Sequence, residues 1–397
     1  MKRSTERFLT THVGSLPRPD DLIVLYGNDA PDELLLPRLR SAAADVIRLQ
    51  IEHGLDIVND GEFGKAMRRS EDIGAWWSYV YSRLGGFEKL ASEAAKGRSG
   101  WTFGSKERRE FEQFYRDTGG VGGSGASARS SANDMFGLAC TGPVKYTGHA
   151  LVERDISNLK AAISGTAIED VFMSAVSPAT LQILPDQHYK SREDYTWALA
   201  EAMREEYRAI VNAGFILQID DPAIVDVWDW WFSLSDDMSG YRKWAEFQVE
   251  ALNHALEDIP EDRVRMHICW GSWHGPHKTD LPLRDVVDLL LKVRVGAYSV
   301  EAGNVRHEHE WKVWTETKLP DGKLLIPGVV SHATNVLEHP EVIADRLTHY
   351  ANAVGRENVI AGTDCGLGGR LHPQLAWAKL SALKEGADLA SKRFWGT

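Results

Sequence analysis

Cysteine is scarce in this chain, three residues in 397. That excludes a disulfide scaffold and fits a reducing compartment, where each thiol is either buried or chemically employed. Long apolar runs are missing too; none approaches the roughly 18 residues of a membrane span. The opening segment Met1–Arg7 holds no apolar stretch of the kind that directs export, so a cytoplasmic location is expected. Basic residues are in deficit, 45 Lys+Arg against 57 Asp+Glu, for a net charge of −12. Nucleic acids and anionic membranes both call for basic patches, so neither is expected as a partner. No repeat of 20–50 residues and no heptad pattern is visible, which excludes solenoids and coiled coils.

The chain contains short β-rich runs separated by helix-length segments. The runs are Leu9–Gly14, Asp56–Asp60, Val144–Thr147, Val171–Val176, Phe215–Asp220, Val264–Trp270, Ala297–Glu301, Leu324–Val330 and Val359–Thr363. Amphipathic stretches lie between them, among them Pro37–Glu52, Arg192–Asn212, Gly240–Leu256, Leu283–Val293 and His339–Val354. Alternating β and α predicts a parallel sheet. The runs carry few polar residues before their C-terminal ends, as strands buried on both faces do. An open doubly wound sheet would want a Gly-x-Gly-x-x-Gly loop after its first strand, but Gly14-Ser15-Leu16-Pro17-Arg18-Pro19 stands there. The expected fold is therefore an α/β TIM (β/α)8 barrel spanning 1–397 as one domain, with an irregular insertion at about 65–150. Val144–Thr147 is the surplus run and reads as a hairpin excursion. The Gly-rich stretch Gly119–Gly125 reads as a loop, either a linker or a lid. Fourteen Trp is a high count, and Trp228–Trp231 reads as packing or as the wall of an apolar site.

Nearly every run ends in chemistry. The ends are His12-Val13-Gly14-Ser15, Asn59-Asp60-Gly61-Glu62, Asp220-Asp221-Pro222, His267-Ile268-Cys269, Glu301, Ser331-His332 and Asp364-Cys365-Gly366. In a barrel all of them open onto one mouth. His267 and Cys269 stand two apart on one strand and share a face. With Glu301 and Cys365 they make a set of one imidazole, one carboxylate and two thiolates, which suits Zn²⁺. Cys140 has no such company and reads as structural.

These motifs, in this order over about residues 10–390, resemble the cobalamin-independent methionine synthases, specifically their C-terminal catalytic barrel and shorter single-barrel relatives such as the epoxyalkane:coenzyme M transferases. The resemblance implies zinc on His267, Cys269, Glu301 and Cys365, and a small thiol substrate met by Ser15, Glu62 and Asp220, the two acids holding an amino group. It implies alkyl transfer, with methyl the leading case, to a thiol activated as a zinc-bound thiolate; epoxide opening by the same device is the alternative. Arg18 is a candidate for a substrate carboxylate or sulfonate. His332 is the candidate general acid, with His274 and His277 as alternatives, while His307 and His309 read as solvated or supporting. A metal-free lyase of the uroporphyrinogen decarboxylase type would need arginines at the mouth, where the motifs offer mainly acids. The alkyl donor and assembly as a homo-oligomer stay open.

Overall fold

The computed structural model describes residues 1–70, 72, 74–90, 105–118, 137–272 and 274–396. The Gly119–Gly125 stretch and Trp273 lie outside the described residues. The strands are β1 (Ile57–Val58), β2 (Leu84–Lys89), β3 (Leu138–Tyr146), β4 (Asp170–Val176), β5 (Ile216–Asp220), β6 (Val264–His267), β7 (Ala297–Glu301), β8 (Leu324–Val330) and β9 (Gly362–Thr363). Seven of them form one parallel sheet in the order β1-β4-β5-β6-β7-β8-β9. The long helices are α1 (Asp32–Glu52), α2 (His149–Ile163), α3 (Arg192–Asn212), α4 (Met238–Ala255), α5 (Pro340–Val354) and α6 (Pro373–Trp395). Strand and helix thus alternate, and the strands from β5 onward are buried along their whole length, as a parallel sheet covered by helices requires.

The sheet is strongly curved. Leu9, Ile57, Phe172, Ile216, Leu324 and Ile360, drawn from both ends of the strand order, meet in one small apolar cluster. The backbone of residues 9–11 bonds to both sheet edges. Thr11 N donates to Ala361 O and Ala361 N to Leu9 O, each at 2.8 Å, while Asp56 N and Ile57 N donate to Thr10 O at 3.1 and 3.0 Å. Residues 9–14 do not form the full strand that the sequence predicts; a single bridge, Thr10 to Ala361, remains. The side chains explain it. Thr10 Oγ1 bonds Gly54 O at 2.9 Å, and Asp56 Oδ2 accepts Thr10 N at 2.9 Å, so side chains take up groups a ladder would use. Arg265 crosses the interior, donating to Gln218 Oε1, Thr11 Oγ1 and His12 O at 2.7, 3.0 and 2.7 Å.

The surplus run is a hairpin excursion, as expected: β2 and β3 pair antiparallel outside the main sheet. Two helix expectations need correction. Helix α1 begins at Asp32, behind Pro31, and carries Pro37 inside it. Leu283–Val293 is a short 3-10 turn, Leu283–Asp285, followed by a single helical turn, Val287–Leu290. Val286, Val287, Val293 and Val295 are all buried there. Their β-branching disfavours a long helix, and the segment has little polar face for a helix to turn outward. Among the described residues no helix is long and apolar enough to cross a membrane.

Candidate metal centre and substrate cavity

The C-terminal ends of the strands share one mouth. His267 closes β6, with its Cα in register with Asp220 at the end of β5. Cys269 follows two residues later, and Cys365 follows β9. One ligand atom from each of His267, Cys269 and Cys365 lies within 4.8 Å of the others. The two sulfurs are 3.7 Å apart, too far for a disulfide. Two thiolates bound tetrahedrally at about 2.3 Å to one zinc would stand roughly 3.8 Å apart. His267 Nδ1 meets Ser299 Oγ at 3.3 Å, which leaves Nε2 buried with no hydrogen-bond partner. An orphaned buried imidazole nitrogen beside two thiols is the donor set that a zinc ion satisfies. Around it the fold buries several acids. Burial, then Asp280 and Glu301, holds the Asp226 carboxyl well above its ordinary range. Burial and then Glu301 do the same to Asp364. The contact between the two cysteines holds Cys365 well below the usual thiol value and Cys269 well above it. A cation bound here would favour the ionised forms of these groups, which burial otherwise disfavours.

Glu301 stands apart from the gathered three. Its Oε1 accepts Trp270 N at 2.9 Å and its Oε2 accepts Asn304 Nδ2 at 2.9 Å. Trp270 stacks on His307, with ring centroids 3.9 Å apart. His307 is not solvated. It lies between Asp280 and Glu310, at 3.1 and 2.9 Å, and although burial alone would lower it, these acids raise it to about 10.

A cleft opens above the thiols, lined by Ser15, Glu62, Asp220, His267, Cys269 and Cys365 together with Trp76 and Arg370. Glu62 adopts φ +62°, a conformation that costs a non-glycine residue energy and collects at functional sites. Its Oε1 accepts from Lys65 Nζ at 3.1 Å and from Ser174 Oγ, while Oε2 is buried without a partner. Burial, then the charge of Glu62, pushes the Asp220 carboxyl up to about 7. The Gly-rich turn after Cys365 brings the walls together. Leu367 N and Gly368 N both bond Ser15 O, at 2.9 and 3.0 Å. A Cβ on Gly368 would fall 2.3 Å from Leu16 O, so only glycine permits this approach.

Arg18 does not line the cavity. Its guanidinium donates to Glu62 O at 2.5 Å and Lys65 O at 3.0 Å, holding the loop that carries Glu62. His332 is buried behind Arg370, which donates its Nε to His332 O at 2.8 Å. Both His332 ring nitrogens lack partners, and burial drives the ring down to about 3. His277 is engaged with Asp280 at 3.1 Å. Trp228 packs against Tyr241, and Trp231 against Trp244, away from the cavity. Sequence reasoning missed Lys65 and Arg370. A signal existed for each: Lys65 stands one helical turn beyond Glu62, and Arg370 ends the glycine run that begins at Cys365.

A family model described as cobalamin-independent synthase, catalytic domain, matches residues 178–389, more than half of the chain. The chain belongs to this family. It is an enzyme of that family, built around a His–Cys cluster able to hold zinc. Among named relatives, a 2-hydroxypropyl-CoM lyase from Xanthobacter autotrophicus is 25% identical over 412 residues, covering 96% of this chain and 94% of that protein. A methionine synthase from Sulfurisphaera tokodaii is 26% identical, covering 96% and 91%. The B12-independent methionine synthase from Shewanella sp. W3-18-1, solved with selenomethionine, superposes with a TM-score of 0.70 at 21% identity, covering 98% of this chain and 100% of that one. At that identity the likeness is one of fold.

Proposed function

We propose that this chain transfers an alkyl group to a small thiol, using zinc held by His267, Cys269 and Cys365 with Glu301 as the fourth ligand. The observation that carries the reading is the pair of sulfurs 3.7 Å apart beside the unpartnered His267 Nε2, facing the cavity. A zinc ion there supplies the Lewis acidity that ionises a thiol, which is otherwise mostly protonated at neutral pH. Glu301 would be the hard donor of the set, and its oxygens accept from Trp270 N and Asn304 Nδ2. Ser299 orients His267. Glu62 and Asp220 hold the cationic end of the substrate, Glu62 through its free Oε2. Ser15 supports the same end of the cavity. Arg18 acts as a positioning residue, through the backbone of Glu62. His332, the candidate general acid, is held neutral by burial, which lowers it to about 3, so its role would be to polarise the leaving group through an N–H hydrogen bond rather than to give up a proton as an imidazolium. The bonds from residues 9–11 to both sheet edges support a closed (β/α)8 barrel, read as a single domain, in which residues 9–11 supply the eighth position.

A second reading, opening of an epoxide by the same thiolate, is favoured by the near full-length similarity to 2-hydroxypropyl-CoM lyase. One experiment separates the two. Purified zinc-loaded protein is offered homocysteine, 2-mercaptoethanesulfonate and glutathione, each with methylfolate, a methylcorrinoid or a short epoxide. A methyl thioether supports the first reading and a hydroxyalkyl thioether the second. No thioether from any pair, with zinc at one equivalent, would sink both.

A further inference from the structure

Three buried histidines, His12, His267 and His332, each keep at least one ring nitrogen without a hydrogen bond. His307 is the opposite case. It is buried, and each ring nitrogen faces a carboxylate, Nδ1 meeting Glu310 Oε2 at 2.9 Å and Nε2 meeting Asp280 Oδ2 at 3.1 Å. An ionised carboxylate only accepts, so a ring that serves both acids carries both protons. The acids are fixed in turn: Glu310 Oε1 accepts Leu283 N at 2.8 Å, and Asp280 also meets His277 Nδ1 at 3.1 Å. His307 belongs neither to the gathered metal set nor to the lining of the cleft. What it touches leads to Glu301 by two routes. The Trp270 ring lies on the His307 ring, with planes 21° apart, and its Nε1 is tied to Leu281 O at 2.8 Å. The backbone N of the same Trp270 donates to Glu301 Oε1. On the other side His307 N donates to Asn304 O at 2.9 Å, and Asn304 Nδ2 donates to Glu301 Oε2.

We infer that His307, clamped between Asp280 and Glu310, is the positioning residue that fixes the Glu301 carboxylate, acting through Trp270 and Asn304. This rests on the thiol-alkylation reading for what Glu301 does at the metal, and on the contacts alone for how Glu301 is held. A carboxylate on a free side chain can swing toward a metal or away from it; one held at both oxygens presents a single position, which is what outer partners of metal ligands supply. The two acids pin the His307 ring, the ring pins Trp270, and Trp270 N pins one oxygen of Glu301.

The test uses full-length protein with isotope-labelled tryptophan, the Trp270 amide signal being assigned by its loss in Trp270→Phe. Glu301→Ala sets the exchange rate of that amide once its acceptor is gone. In His307→Gln, hydrogen exchange at the Trp270 amide is expected to rise roughly 10- to 100-fold, the size of one charge-assisted hydrogen bond, while the other tryptophan amides keep the parent rates. Zinc affinity in competition with a chelator is expected to weaken by about 10- to 100-fold in the same variant, and the visible spectrum of the cobalt-loaded protein to change. Asp280→Asn, the milder change, is expected to move the Trp270 signal in the same direction and serves where His307→Gln does not fold. Unchanged exchange at Trp270 would overturn the inference. So would faster exchange at every tryptophan amide together with a lower urea midpoint, which is a loss of stability and not of position. Parent zinc affinity in His307→Gln would overturn it too, provided that Glu301→Ala weakens zinc. If Glu301→Ala leaves zinc unchanged, or the parent binds none, the ligand reading of Glu301 fails instead, and selective exchange at Trp270 leaves the clamp standing.

Discussion

Several of the buried atoms without partners lie where the chemistry is proposed, though others are spread through the fold. His267 Nε2, Glu62 Oε2, Arg370 Nη1 and both His332 nitrogens have no partner, while Gln218, Lys65 and Ser299 beside them are bonded. A buried polar group without a partner costs energy that a fold retains only for a reason. The reason proposed here is a set of ligands that arrive later. Cys269→Ser and Cys365→Ser are each expected to lower bound zinc to a small fraction of an equivalent, read by elemental analysis, and to abolish thioether formation. Serine replaces a soft thiolate by a neutral hydroxyl. Ser299→Ala keeps all the ligands but frees the imidazole ring, and is expected to weaken zinc about 10- to 100-fold in competition with a chelator. Unchanged zinc affinity in that variant would show that Ser299 does not orient His267.

Single residues of the elements around the mouth hold it in shape. Lys379 on α6 is wholly buried, and its Nζ reaches Glu338 Oε2 at 2.8 Å and Val336 O at 2.6 Å. Glu338 Oε1 in turn accepts Ser331 N at 2.9 Å, so the last helix anchors the loop that carries His332. Lys379→Met strands a buried carboxylate and is expected to cost about 3–5 kcal/mol in urea unfolding; a cost under about 1 kcal/mol would mean that Glu338 finds another partner. The Gly366–Gly369 turn works by contact. Gly368→Ala puts a methyl against Leu16 O, so thioether formation is expected to fall at least tenfold while the far-UV spectrum, set by the distant helices, keeps its shape.

Across the whole chain the centre and the fold stabilise one another. Metal that binds the native state and not the unfolded one adds stability by mass action; removal by a chelator is expected to lower Tm by several degrees, an effect that vanishes in Cys269→Ser. A buried acid outside the metal set, Asp221, gives the fold a pH dependence of known sign. Burial pushes the Asp221 carboxyl up to about 7, while the unfolded chain releases that proton near 3.9. The native state therefore binds more protons between these values. Stability from this group is intact below about pH 4 and is lost as pH rises toward 7. Asp221→Asn removes the titration. Its unfolding free energy from urea titration is expected to gain on the parent between pH 4 and 7, by about 1.4 kcal/mol per pH unit at most, and to run parallel above pH 7. A difference independent of pH would mean that Asp221 is ionised throughout.

Much of this molecule was legible before folding. The β-rich runs from Val171 to Val330 coincide with strands to within a few residues, because strands buried on both faces write themselves as continuous apolar runs. His267 and Cys269 could be paired because a two-residue spacing shares a face, and Cys365 joined them as another thiol at a strand end. Leu283–Val293 could not be read correctly, since apolar content does not separate one helical turn from three. Nor could the roles of the polar groups. Whether Arg18 or Arg370 faces the cavity, whether Glu301 stands with the thiols or with Trp270 and Asn304, and whether His307 is solvated or clamped between two acids are matters of which partner lies nearby in space. Order along the chain sets the elements and the kinds of donor, through local periodicity; only long-range packing decides which donors are satisfied and which are left open to bind something else.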